Sequence, residues 1–90
     1  MKEFVLDDLN RLYRACEGAD LELTEKILDE SFADLGLDSL GTIELAERIQ
    51  REWHVPIPTL LPNETVEILG TPRLALEYVN KLLTAAQGKQ

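Results

Sequence analysis

The sequence predicts an all-α protein: a small bundle of three main helices and one short helix, with a long first connection. Three observations carry this. Several stretches repeat apolar residues at a helical period. No stretch alternates apolar and polar residues between turn signals, as a half-buried strand would. The 90 residues are 44% hydrophobic and 29% charged, which suits one small globular domain over residues 1–90, provided its helices pack well.

The first helix is expected over Val5 to Glu17. Val5, Leu6, Leu9, Leu12, Tyr13 and Cys16 fall within an arc of about 120° at about 100° per residue. Gly18 is a natural stop, and Asp7 is an alternative cap. Residues 18–38 form a long connection, with a possible helical turn after Thr24 and with Ile27, Leu28, Phe32 and Leu35 spaced to pin it to a core. A connection this long in a compact domain tends to be functional.

The second helix starts at Asp38 or Ser39 and runs to about Trp53. Asp38 is a good N-cap, its carboxylate accepting from free N–H groups of the first turn. Thr42, Leu45, Ala46, Ile49 and Trp53 share the inward face. Pro56, Pro58 and Pro62 keep residues 54–62 extended or turning. Asn63 is expected to cap a short third helix through about Leu69, with Gly70 ending it. Thr71-Pro72 reads as an N-cap followed by proline at the first helical position, where no N–H is lost. The last helix should reach Ala86, with Ala75, Leu76, Val79, Leu82 and Leu83 inward and residues 87–90 frayed.

Charge narrows the function. Seventeen acids against nine bases give a net charge of −8, which excludes a nucleic-acid binder or an anionic-membrane binder and favours partners with basic patches. The excess is local. Residues 1–47 hold thirteen acids and four bases, a net −9, while residues 48–90 hold four acids and five bases, a net +1. The single Cys16 excludes an internal disulfide and a cysteine-based zinc finger, and the single His54 removes most other metal sites, so no metal is expected. No apolar run reaches membrane-spanning length and no signal-peptide apolar region opens the chain, so a cytoplasmic location is expected.

The second helix carries residues its core face does not use. Leu40 and Ile43 point roughly 100° to 160° away from that face, among Glu44, Glu47 and Arg51. This is either a docking surface or a set of ordinary exposed apolars. Ser39 is either a plain cap or, if Asp38 caps, a spare hydroxyl at the positive end of the helix dipole, where a phosphate is well tolerated. Ser39 and His54 lie about 22 Å apart on one helix, which rules out a serine-hydrolase triad. Cys16, on the apolar stripe, reads as a buried small residue.

Asp34-Leu35-Gly36-Leu37-Asp38-Ser39-Leu40, continued by Thr42-Ile43-Glu44-Leu45, resembles the motif around the modified serine of acyl carrier proteins. The likeness covers nearly the whole chain. It includes the acidic connection, Val55-Pro56-Ile57-Pro58 after the second helix, and Thr71-Pro72-Arg73 at the start of the last. It implies an acyl-carrier-protein-like fold and a non-catalytic carrier. Ser39 would bear a 4′-phosphopantetheine arm, delivered from coenzyme A, that holds acyl groups as thioesters. The helix from Leu40 resembles the family's recognition helix, which makes Asp38, Leu40, Ile43, Glu44 and Glu47 the expected partner face. Leu45, Ile49 and Ile57 are the expected lining of an acyl-chain cavity.

Phe32-Ala33-Asp34-Leu35-Gly36 and Leu69-Gly70-Thr71-Pro72-Arg73 look more like carriers of type II polyketide synthases than fatty-acid carriers. Expected partners are then a phosphopantetheinyl transferase, a ketosynthase with its chain-length factor, a malonyl acyltransferase, and tailoring reductases or cyclases, acting on a monomeric carrier. Gly41 stands where the family often has an acid, and Arg48, Gln50 and Arg51 interrupt its acidic run. Steering should therefore depend on the first two turns of the helix. Two other readings remain, a fatty-acid or aryl carrier and an acidic interaction module without a prosthetic group.

Overall fold

A computed structural model describes residues 3–19 and 21–87. Among them are α1 (Leu6–Arg14), a 3₁₀ turn (Glu25–Ile27), α2 (Ser39–Trp53), α3 (Pro62–Ile68) and α4 (Pro72–Gln87), with no strand among the described residues. Helix α2 packs on α1 and α3, and α4 packs on the same two helices. This is the predicted arrangement of three main helices and one short one.

Helix α1 is shorter than its periodicity suggests. Val5 is its N-cap and is 46% exposed rather than inward, with the Asp8 carboxylate accepting from the Val5 N–H at 3.1 Å. The residue that enters the core is Phe4, just ahead of the helix and 1% exposed. Its ring meets Trp53 edge to face, with centroids 5.0 Å apart. Asn80 of α4 clips the segment in place: its Oδ1 accepts from the Phe4 N–H and its amide donates to the Phe4 carbonyl, both at 2.8 Å. Leu9, Leu12, Tyr13 and Cys16 are buried as the stripe predicts.

The long connection is pinned to the core at intervals. Leu23, Phe32, Leu35 and Leu37 are buried, while Ile27 and Leu28 are half-buried. The Tyr13 hydroxyl donates to the Leu35 carbonyl at 2.5 Å. The Phe32 N–H donates to the Gly70 carbonyl and the Arg73 N–H to the Leu28 carbonyl, each at 2.9 Å. Arg73 also pairs with Asp29 at 2.7 Å, and this hydrogen-bonded guanidinium holds the Asp29 carboxyl below its usual range. Such partners satisfy backbone groups that a buried loop would otherwise leave unpaired.

Gly18 and Gly36 cross back to back with φ of +93° and +100°. A Cβ on Gly18 would stand 2.7 Å from the Gly36 carbonyl oxygen, and one on Gly36 would stand 2.5 Å from that of Gly18. Both positions need glycine for conformation and for space.

Helix α3 starts one residue before the expected Asn63 cap. Pro62 occupies the first turn and Leu61 is an N-cap without a side-chain bond, because a proline there sacrifices no N–H. Buried Thr65 donates its hydroxyl to the Pro58 carbonyl at 2.6 Å. Thr71 opens α4 as predicted, its Oγ1 accepting from the Leu74 N–H at 3.1 Å. Ala75 and Val79 are buried, and Leu76, Leu82 and Leu83 are half-buried. Helix α4 includes the backbone of Gln87. The expected fraying of the tail beyond it falls on residues 88–90, which lie outside the described residues.

Gly36→Ala is expected to cost about 2 kcal/mol or more, from positive φ together with the carbonyl clash. Asn80→Ala, which strips two backbone partners from Phe4, is expected to cost about 1–3 kcal/mol. Urea denaturation of each variant measures both.

Candidate functional site

The site is built on the first turn of α2. The Asp38 carboxylate accepts from the Gly41 N–H at 2.8 Å, and the Asp38 carbonyl accepts from both the N–H and the hydroxyl of Thr42, at 2.9 and 3.0 Å. Asp38 is therefore the cap. Ser39, first residue of the helix, is exposed, and its hydroxyl takes no part in a hydrogen bond among the described residues. Gly41 is buried against the residues before the helix, where a Cβ would meet Leu37 Cδ2 at 3.2 Å. An acid at that position would crowd the capping turn.

Two concavities flank Ser39. A groove of about 340 Å³ is lined by polar Ser31, Asp38, Ser39 and Asn63, by exposed Val66, and by buried Phe32, Leu37, Thr42 and Leu69. On the other flank Glu17, Gly18, Gly36, Asp38, Leu40 and Glu44 border a notch of about 300 Å³. Leu40 is 74% exposed, Glu47 is exposed, and Ile43 and Glu44 are half-buried. The outer face inferred from helical geometry is thus present around Ser39.

The expected cavity residues lie elsewhere. Leu45, Ile49 and Ile57 are closed into the core and line neither concavity beside Ser39. The reason is their place in the packing: they are the contacts that hold the bundle shut. The open space instead lies between the lead-in to α2 and the short α3. Of its lining residues, Val66 of α3 and Leu69, the C-cap of that helix, stand at i, i+3 spacing, a signal the sequence did contain. Phe32 and Leu37 were legible as apolar, but their position under Ser39 was not.

The remaining reactive groups are placed away from chemistry. His54 caps the far end of α2 in the left-handed region, φ 56°, with its N–H donating to the Gln50 carbonyl at 2.9 Å. Buried Cys16 donates to the Leu12 carbonyl at 3.5 Å. Burial foremost, and then the Glu44 charge, pushes its thiol up to about 11. Among the described residues no group of three or more His, Cys, Asp or Glu side chains is arranged to hold a metal ion. No described helix is long and apolar enough to cross a membrane.

The free hydroxyl and the capped helix start fit a phosphate ester on Ser39. The hydroxyl is the required attachment atom, it is accessible, and the first turn of a 15-residue helix presents a positive dipole end to the anion. The groove opens next to the same atom.

The sequence profile of the family described as phosphopantetheine attachment site matches residues 15–70. The granaticin polyketide synthase acyl carrier protein of Streptomyces violaceoruber is 40% identical over 82 residues, covering 89% of this chain and 92% of that one. The oxytetracycline polyketide synthase acyl carrier protein of Streptomyces rimosus is 35% identical over 88 residues, covering 96% and 88%. Among solved structures, the 3,7-dioxo-octyl actinorhodin acyl carrier protein of Streptomyces coelicolor superposes with a TM-score of 0.75 at 32% identity, over 92% of this chain and 94% of that one. A helical bundle, a family match across the serine-bearing helix and relatives spanning nearly the whole chain lead to one conclusion: this chain belongs to the phosphopantetheine-bearing acyl carrier proteins of type II polyketide synthases, non-catalytic subunits that carry acyl intermediates between synthase enzymes.

Proposed function

We propose that Ser39 is the residue that bears the arm, and that the whole chain, residues 1–90, works as one monomeric carrier domain. The observation that carries this is the division of labour at the start of α2: Asp38 satisfies the helix terminus, leaving the exposed Ser39 hydroxyl spare. In loading, Ser39 Oγ forms a bond to the phosphorus next to the pantetheine of coenzyme A. The pyrophosphate linkage breaks, the nucleotide half leaves, and the hydroxyl proton passes to the transferase. Once attached, the arm supplies a terminal thiol that holds acyl groups as thioesters.

The partner face consists of Asp38, Leu40, Ile43, Glu44 and Glu47. Leu40 offers an apolar anchor next to the attachment point, and the carboxylates steer encounter with basic patches. The partners it would serve are a phosphopantetheinyl transferase, a ketosynthase with its chain-length factor, a malonyl acyltransferase, and reductases or cyclases, all in a cytoplasmic pathway. Short or partly reduced chains would rest in the groove over Phe32, Thr42, Val66 and Leu69 in place of the closed Leu45, Ile49 and Ile57 core. Its polar lining at Ser31 and Asn63 suits the keto groups of a polyketide.

Incubation with coenzyme A and a phosphopantetheinyl transferase should add one arm per chain, seen by intact mass. An unmodified wild type, or an Ser39→Ala variant that still gains the mass, would sink the assignment. Thiol titration gives a second readout. With its thiol pushed up to about 11, Cys16 has roughly one thiolate in a thousand at pH 8 and little access. Native apo protein should therefore react slowly, loaded protein should show one fast thiol, and Cys16 should become fast only on unfolding. For the groove, acylation of the loaded carrier should shift NMR signals of Phe32, Thr42, Val66 and Leu69. Shifts confined to Leu45, Ile49 and Ile57 would instead restore the core as the shelter.

A further inference from the structure

The partner face has an internal competitor. Arg48 Nη2 lies 2.9 Å from Glu44 Oε2, and Arg48 Nε lies 3.2 Å from the same oxygen. The residues are one turn apart, with the acid nearer the N-terminus, the favourable order for an i, i+4 ion pair. The two side chains are only 35% and 33% exposed, so this pair is less screened than the other ion pairs on the surface. Those pairs, Arg11–Glu52, Arg14–Glu22 and Arg73–Asp29, are all more open. Within α2 itself, Glu44 is the carboxylate that borders the notch beside Leu40, where the capping Asp38 also stands. Glu47, a turn further round, has no ion pair among the described residues.

We infer that Arg48 sets partner specificity by holding the Glu44 carboxylate in an ion pair that an incoming basic side chain must displace. The inference rests on the partner-face reading of Glu44. An exposed acid next to an attachment serine attracts any basic patch, whereas a pre-paired acid responds only to a partner able to out-compete a guanidinium that donates twice to one oxygen. A partner fitted to this carrier therefore presents an arginine-class donor over Glu44, in position to take over that oxygen. A diffuse field of lysines would be drawn mainly to Asp38 and Glu47. Arg48 makes no hydrogen bond to Ser39, and its role is to position and partly neutralise Glu44.

The test is a double-mutant cycle on loading by a phosphopantetheinyl transferase and coenzyme A at low salt, with the wild type, Glu44→Gln, Arg48→Gln and the double variant. Circular dichroism confirms that each is folded. Removing Arg48 should raise kcat/KM about two- to fivefold, through a lower KM at unchanged kcat. Glu44→Gln should then cost several times more in the Arg48→Gln background than in the wild type. The difference should fade at high salt, and Arg48→Lys, which keeps the charge, should stay close to wild type. Equal losses from Glu44→Gln in both backgrounds would overturn the role of Arg48 while leaving Glu44 a contact. No loss in either background would overturn both that role and the partner-face reading of Glu44. A fall in kcat/KM on Arg48→Gln, or an Arg48→Lys variant that behaves like Arg48→Gln, would also overturn it.

Discussion

The placement of Ser39 depends on how the end of α1 and the lead-in to α2 cross at Gly18 and Gly36. Each glycine takes a left-handed conformation and each leaves room for the other's carbonyl. This close approach lets Leu35 and Leu37 turn inward on either side of Gly36, and it lets the Tyr13 hydroxyl reach the Leu35 carbonyl. Asp38 follows at once and caps α2. A long connection would ordinarily spread its free energy over many loop conformations. Here its backbone is tied to α1, to Gly70 and to α4, so the first turn of α2 is presented in a fixed attitude. The notch and the groove on either side of Ser39 are both consequences of this crossing, since each is walled in part by residues of the lead-in.

The electrostatics are more selective than the net charge of −8 implies. Among the described residues four acids are paired with arginines on the surface: Asp29 with Arg73, Glu44 with Arg48, Glu52 with Arg11, and Glu22 with Arg14. Asp38 divides its attention between capping and solvent. The field that steers a partner is therefore concentrated on fewer groups than the composition suggests. The pairs differ in burial, and burial decides how much each matters to an approaching surface.

The helices were legible because their apolar spacing, caps and prolines agree with one another. Asp38 and Thr71 cap as their types predict, and Pro72 stands at the start of α4. The differences arise where local signals compete. At the N-terminus, Val5 and Phe4 both fit an inward position. Phe4 takes it because Trp53 and Asn80, 49 and 76 residues away in sequence, offer an aromatic edge and two hydrogen bonds. At α3, Asn63 is the better cap by type, yet Pro62 already has the backbone angle the helix needs. Leu45, Ile49 and Ile57, the expected acyl shelter, are closed contacts in the structure, a state that apolarity alone does not distinguish from an open wall.

The sequence by itself determined the helical class, the order of elements, the acidic half, the exposed face around Leu40 and the serine at the head of α2, because each is a matter of local spacing and chemical type. The tertiary structure alone decided which apolar residues close the core and which line the groove, how the two glycines cross, and which carboxylates are already engaged. Those outcomes depend on segments far apart in the chain meeting within a few ångströms. Glu44 and Arg48 illustrate the boundary. Their i, i+4 spacing is visible in the sequence, but only the packed bundle shows that the pair forms, and that it does so partly shielded from water.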